Sequence, residues 1–246
     1  MNQDLLNQAR SVARMTGTRL RLRIPSVLAT GEIFALDMSV VGPDSLPCDT
    51  FTNTIRLTDS QGIEGLPATL RFDAGTSTLR VEGLKAIGPE VAVVRGIVEG
   101  TDKVDGDPNV ASNPAWVQDD PAYRIYWGDI HVHTRISNCS GWRCLDPEWC
   151  YQYARDMSLL DFAAPADHVR GIAADPAHWP RLQQLAREYN DPRQFVSLLA
   201  FESSHAQGYG GDNNIYYLDD EAPHFWLDRE DMKGIAPKVP LPDMWD

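Results

Sequence analysis

Apolar and polar positions follow two different rhythms along this 246-residue chain, and the change of rhythm divides it. From Arg19 to Val117 short apolar stretches are broken by turn residues: LRLRIPSV, EIFALDMSVV, FTNTIRLTD, ATLRFD, STLRVEG and EVAVVRGIVEG. Strict alternation in TLRVEG and NTIRLTD puts the apolar side chains on one face of an extended strand. Gly, Pro, Asp and Asn between the stretches supply the turns. Short strands at this spacing predict a β-sandwich over 19–117. Ahead of it, Leu5, Leu6, Ala9 and Val12 predict a short amphipathic helix within 1–18. The stretch GTDKVDGDPNVASNPAWVQDDPAY is rich in Asp, Pro, Gly and Asn and reads as a linker.

Over 118–246 the pattern switches to strands alternating with helices. YRIYWGDIHVH is a strand with a continuous apolar character, SLLDFAAPADH a second and QFVSLLAFE a third. Between them, Asp146 caps a helix with Pro147 at its first position and Glu148 in its first turn. Asp175 and Pro176 repeat that start signal for DPAHWPRLQQLAREYN. Such alternation implies right-handed βαβ units and a parallel sheet or barrel.

Chemistry-bearing residues gather on this framework. His131 and His133 are one residue apart at the end of the first strand, so they share a face while Val132 points away. Two imidazoles aimed at one spot are costly unless something sits there, and a metal ion is the usual occupant. Asp167 and His168 end the second strand and Glu202 ends the third. The carboxyl ends of parallel strands form one rim, where sites are built. All six histidines lie between His131 and His224.

In order and spacing, GDIHVHT, ISNCSG, LDFAAPADH and AFESS resemble the opening half of a PHP domain, the polymerase and histidinol phosphatase superfamily. The preceding sandwich is similar to a large uncharacterised PHP-containing family with a β-rich N-terminal region. The resemblance implies the first half of a distorted (β/α)7 TIM-like barrel holding two or three divalent metal ions, Zn, Mn or Fe. It makes His131, His133 and His168 ligands, Glu202 a carboxylate able to bridge two ions, and Asp212 a ligand where relatives place a histidine. Ala166 replaces the usual Thr before Asp167. Asn138 stands where many relatives have Asp, with Cys139 beside it where some have a further His, which puts the third metal position in question.

Two metals sharing a carboxylate suit hydrolysis, because they acidify water and stabilise the charge of an in-line displacement. The expected activity is a phosphoesterase-like hydrolase. The alternatives are an amidohydrolase-like enzyme acting on C–N or C–O bonds, or a non-catalytic metal- or partner-binding subunit. Asp129 shares the strand face of His131 and is a candidate to orient a ligand. Arg135, Arg143 and Arg170 follow the metal motifs and would suit a small anionic substrate.

Composition narrows the partners. A net charge of −13, with both halves acidic, argues against nucleic acid and against an anionic membrane. No window is apolar enough to span a bilayer and no secretory signal opens the chain, so a cytoplasmic location is expected. Four cysteines are too few for a disulfide scaffold. Three of them, Cys139, Cys144 and Cys150, flank the H-x-H, and Cys139 alone falls at a ligand position of relatives. From Tyr123 onward 124 residues remain, whereas a (β/α) barrel takes roughly 200 or more. The later-strand ligands of the resembled family are not among them. A second polypeptide or second copy is therefore expected to complete the barrel, an inactive fragment being the alternative.

Overall fold

The computed structural model describes residues 17–88, 90–100, 108–137, 139, 145–204 and 212–223. The helix expected within 1–18 and the segment closing the chain lie outside these residues. Two units form, one of Met1–Trp127 with Asp156–Leu159, the other of Gly128–Arg155 with Leu160–Asp246.

Among the described residues the first unit has ten strands: β1 (Arg19–Arg23), β2 (Val27–Ala29), β3 (Ile33–Val41), β4 (Thr54–Gln61), β5 (Ile63–Glu64), β6 (Thr69–Arg71), β7 (Thr78–Ala86), β8 (Val91–Glu99), β9 (Asn109–Ala111) and β10 (Ala115–Gln118). One sheet runs β1-β3-β7-β5, the other β2-β10-β8-β4-β6 with β9 beside β8. All pairs are antiparallel except β2 with β10. The alternation read in TLRVEG is kept, with Leu79 and Val81 of β7 half-buried between exposed Thr78, Arg80 and Glu82. On β3, Phe34, Leu36, Met38 and Val40 are all buried. They share one apolar cluster with Leu84 of the same sheet and with Ile55, Val94 and Val117 of the other. Each such side chain taken out of water contributes about 1.5–3 kcal/mol.

The linker reading fails over 109–118, where β9 and β10 form. Ala115 and Val117 are buried, and Asn113 accepts the Ile24 N–H while its amide donates to the Ile24 carbonyl. A polar stretch is held here by backbone pairing and a side-chain amide, which composition does not report.

The second unit contains β11 (Gly128–Val132), α1 (Pro147–Gln152) running into a π-turn at Tyr153–Met157, β12 (Phe162–Pro165), α2 (Val169–Ala173), α3 (His178–Tyr189), β13 (Val196–Ser197), β14 (Leu199–Ser204) and β15 (Asp212–Tyr217). Asp146 and Pro147 open α1 as expected, although the Asp146 carboxylate pairs with Arg135 instead of capping. The second helix starts later than the Asp175–Pro176 signal. Asp175 instead folds a turn, its carboxylate accepting the Ala177 N–H, and α3 begins at His178. The first strand is also shorter than its apolar run, because Tyr123, Ile125, Tyr126 and Trp127 are exposed ahead of Gly128.

Strands β11, β12 and β13 are parallel neighbours, but β14 and β15 pair antiparallel. A TIM-like (β/α) barrel is not formed among the described residues. The reason is chain length: only residues 205–211 join β14 to β15, and a parallel crossover needs about a dozen or more. The third strand still tracks the second. Phe162 faces Val196, Ala163 faces Ser197 and His168 bridges Glu202, in one unbroken register. Gly128 is needed at the start of β11, since any Cβ there would overlap the Phe162 ring. No helix of the described residues is long and apolar enough to cross a membrane.

Candidate metal centre

A register shift between Asp129 and Val132 sets the geometry of the H-x-H. The Asp129 carboxylate accepts the His131 backbone N–H at 3.1 Å, so it fixes this backbone irregularity and not an imidazole. Beyond it the two rings converge, with His131 Nε2 3.1 Å from His133 Nε2. Constant register along β12 and β14 brings His168 and Glu202 to the same place. Glu202 Oε2 lies 2.7 Å from His133 Nε2, 2.9 Å from His168 Nδ1 and 3.4 Å from His131 Nε2. The carboxylate is buried, while His131 is exposed and the other two rings are half-buried.

These separations fit a metal ion. Three atoms spaced as His131 Nε2, His133 Nε2 and Glu202 Oε2 can all lie about 2.1 Å from a single point, the length of a bond from Zn²⁺ to nitrogen or oxygen. One buried carboxylate oxygen facing three imidazole nitrogens is also a donor set suited to borderline cations. Two overlapping sets have ligand atoms within 4.8 Å of one another: His131, His133 and Glu202, and His133, Cys139 and His168.

Asp212 belongs to neither set. It is exposed and pairs with Ser204, two residues along the ladder from the residue opposite Glu202. The directly opposite residue is Asn214. Opposed residues share a face at about 4.5–5.5 Å between Cβ atoms, against about 7–8 Å on the diagonal. The Asn214 carboxamide oxygen is buried and accepts no hydrogen bond from the described residues. It is the kind of neutral oxygen donor that hard cations take. Asp212 was placed by the resemblance to the PHP superfamily; the ladder that puts Asn214 across from Glu202 is not visible in the sequence.

Asp167 is fully buried and holds the site together without facing it. Oδ1 accepts the Thr134 N–H at 2.7 Å, the Ser137 N–H at 3.1 Å and the Ser137 hydroxyl at 2.7 Å. Oδ2 accepts the Thr134 hydroxyl at 2.6 Å. Ser137 Oγ in turn accepts the His168 N–H at 2.8 Å. The loop after His133 is thereby tied to the strand end that carries His168. A carboxylate with four donors on it has its lone pairs spoken for. Ala166 is fully buried against Ala164 and Ala200. Gly171 of α2 meets the loop from the other side, and any Cβ there would overlap the Ile136 carbonyl.

Other candidates divide. The Arg135 guanidinium is taken up by Asp146 at 3.0 and 3.2 Å. Arg170 is exposed two residues beyond His168. Arg143, Cys144, Asn138, His205 and His224 lie outside the described residues. His178 faces the Gly171 carbonyl through Nδ1, away from the cluster.

No family model and no curated protein matches the chain. Among solved structures it is similar to the CARDB domain of a Pyrococcus furiosus protein in complex with di-metal ions, at 12% identity and a TM-score of 0.29, covering 42% of this chain and 91% of that one. It is also similar to a Parabacteroides merdae beta-glucuronidase with glycerol in its active site, at 7% identity and a TM-score of 0.30. That likeness covers 74% of this chain and 29% of the glucuronidase. At those scores neither likeness bears on fold or function.

Proposed function

We propose that the second unit carries the metal centre of a phosphoesterase-like hydrolase and that the first unit is a β-sandwich. The observation that carries the reading is the convergence of three imidazole nitrogens on Glu202 Oε2, within 2.7–3.4 Å. The order of H-x-H-T, D-H and E along the chain supports it, as the resemblance to the PHP superfamily anticipates. His131, His133, His168 and Glu202 would hold two or three divalent ions of Zn, Mn or Fe, with Asn214 or Asp212 as a further oxygen donor. Such ions supply a Lewis acid that acidifies water and offsets the charge of an in-line displacement.

The chain's own residues do the rest. Asp167 fixes the loop that sets the His133 ring, which is the outer-shell support that ligand positions need. His131, the exposed ligand, leaves the centre open on its solvent side, where a substrate enters. Arg170 beside His168 favours an anionic one.

The test is metal analysis of protein purified without chelator, followed by a screen of phosphate mono- and diesters. Metal retention with metal-dependent phosphate release is expected. Failure to hold metal after reconstitution overturns the centre. A loaded protein that cleaves amides or carboxylic esters and no phosphoester overturns the substrate class alone.

A further inference from the structure

The proposed centre leaves part of the cluster unexplained. Cys139 is an exposed thiol outside any disulfide, and its Sγ lies 3.0 Å from His133 Nδ1. The opposite nitrogen of that ring faces His131 and Glu202. His133 therefore stands between a sulfur on one side and a carboxylate on the other. The His168 ring lies against it, the two centroids 4.4 Å apart, and the ligand atoms of His133, Cys139 and His168 fall within 4.8 Å of one another.

These two surroundings differ in softness. Thiolate with imidazole selects Zn²⁺, Cd²⁺ or Co²⁺, whereas carboxylate with imidazole also suits Mn²⁺. We infer that Cys139, His133 and His168 form a thiolate-containing site for thiophilic divalent cations, which competes with the Glu202 set for His133. Competition follows from the ring itself. A neutral imidazole has one unprotonated nitrogen to give, so His133 serves the sulfur set through Nδ1 or the carboxylate set through Nε2.

The frame around the site supports a built arrangement over a chance approach. Ser137, two residues before Cys139, is anchored on buried Asp167 by both its N–H and its hydroxyl. The same hydroxyl holds the backbone of His168. Both imidazole positions of the sulfur set and the loop reaching Cys139 thus hang on one carboxylate. On metal binding the thiol proton leaves to solvent, and no oxidant or reductant is required. The inference shares His133 and His168 with the proposed centre and does not need the chain to be a hydrolase.

Cobalt titration of the full chain tests it. Co²⁺ should develop a near-ultraviolet thiolate-to-metal charge-transfer band that is lost in Cys139→Ser and kept in a Cys144→Ser, Cys150→Ser double variant. In parallel, Mn²⁺ binding, read from the electron paramagnetic resonance signal of the free ion, should survive Cys139→Ser. Zn²⁺ or Cd²⁺ should displace Mn²⁺ from the unmodified chain. A band that is absent from the unmodified chain, or that persists in Cys139→Ser, overturns the thiolate site whatever Mn²⁺ does. Absence of any Mn²⁺ binding overturns the Glu202 set instead, and the cobalt band then decides the sulfur set on its own.

Discussion

Among the described residues, the buried polar groups of the first unit are Ser39, Asn53 and Ser112, whereas the second unit buries two carboxylates, Asp167 and Glu202, as deeply as its leucines. The apolar material differs in the same direction. In the first unit it forms one cluster shared by both sheets. In the second it is divided among three, around Phe201, Tyr151 and Ala164. A two-sheet core is stabilised by burial and asks little of any single polar residue. The second unit spends its interior on groups that need partners to be buried at all, because an unpaired buried carboxylate is costly. A binding centre is what such an interior is good for, and local fragility is its consequence.

Removing Asp167 should break this contrast most sharply. Asp167→Ala leaves the Thr134 and Ser137 amides and hydroxyls without their acceptor. A loss of about 3–5 kcal/mol is expected for a buried charge-assisted cluster, together with loss of metal binding. Leu36→Ala in the first unit should cost about 2–5 kcal/mol while metal occupancy is kept. Urea unfolding with metal analysis of both variants checks the pair. If Asp167→Ala behaves like an exposed substitution, within about 0.5 kcal/mol, the hub is misread.

Next in size is the difference between two carboxylates. Glu202→Gln should weaken metal binding by at least about 10- to 100-fold, whereas exposed Asp212→Asn should change it far less. Equal metal occupancy in the two variants would mean that Glu202 is not the shared ligand.

Gly171→Ala probes the loop from its packed side. An added Cβ meets the Ile136 carbonyl, and overpacking of this kind costs about 1–3 kcal/mol. Thermal unfolding with and without added Zn²⁺ should show the loss in both states. A stability equal to that of the unmodified chain would show that α2 shifts freely.

Alkali gives the smallest effect. Burial pushes the Tyr217 phenol up to about 12, and burial raises Tyr151 beyond the ordinary tyrosine range. Both belong to the second unit, and both donate to backbone carbonyls, Tyr217 to Pro223 and Tyr151 to Leu198. The folded state keeps these phenols neutral while the unfolded chain titrates near pH ~10. The Tyr217 contribution is therefore whole below about pH 10 and is lost as pH rises through about 12. Tyr217→Phe should flatten that decline, as followed by unfolding at stepped alkaline pH. An unchanged slope would place the alkaline transition elsewhere.

Much of this molecule was legible in residue order. Alternation in TLRVEG and NTIRLTD assigns strands and their inward faces, because a side-chain period of two is a property of the strand alone. Asp146 and Pro147 mark the start of α1 for an equally local reason. His131, His133, His168 and Glu202 were identifiable because each lies at the end of an apolar run of the sequence, and recognising such a run needs only a few neighbours. Partner choice needs the rest of the chain. Composition made a linker of residues 109–118, yet β10 lies beside β8 because backbone groups on distant strands were waiting to be paired. The antiparallel return of β15, the placing of Asn214 across from Glu202, the four donors on Asp167 and the approach of Cys139 to His133 are all matters of register and packing. They join residues from 6 to 33 positions apart in the chain, and the energies that select them are exerted between segments after each has formed. Local pattern named the donors; only the tertiary structure decided which of them meet.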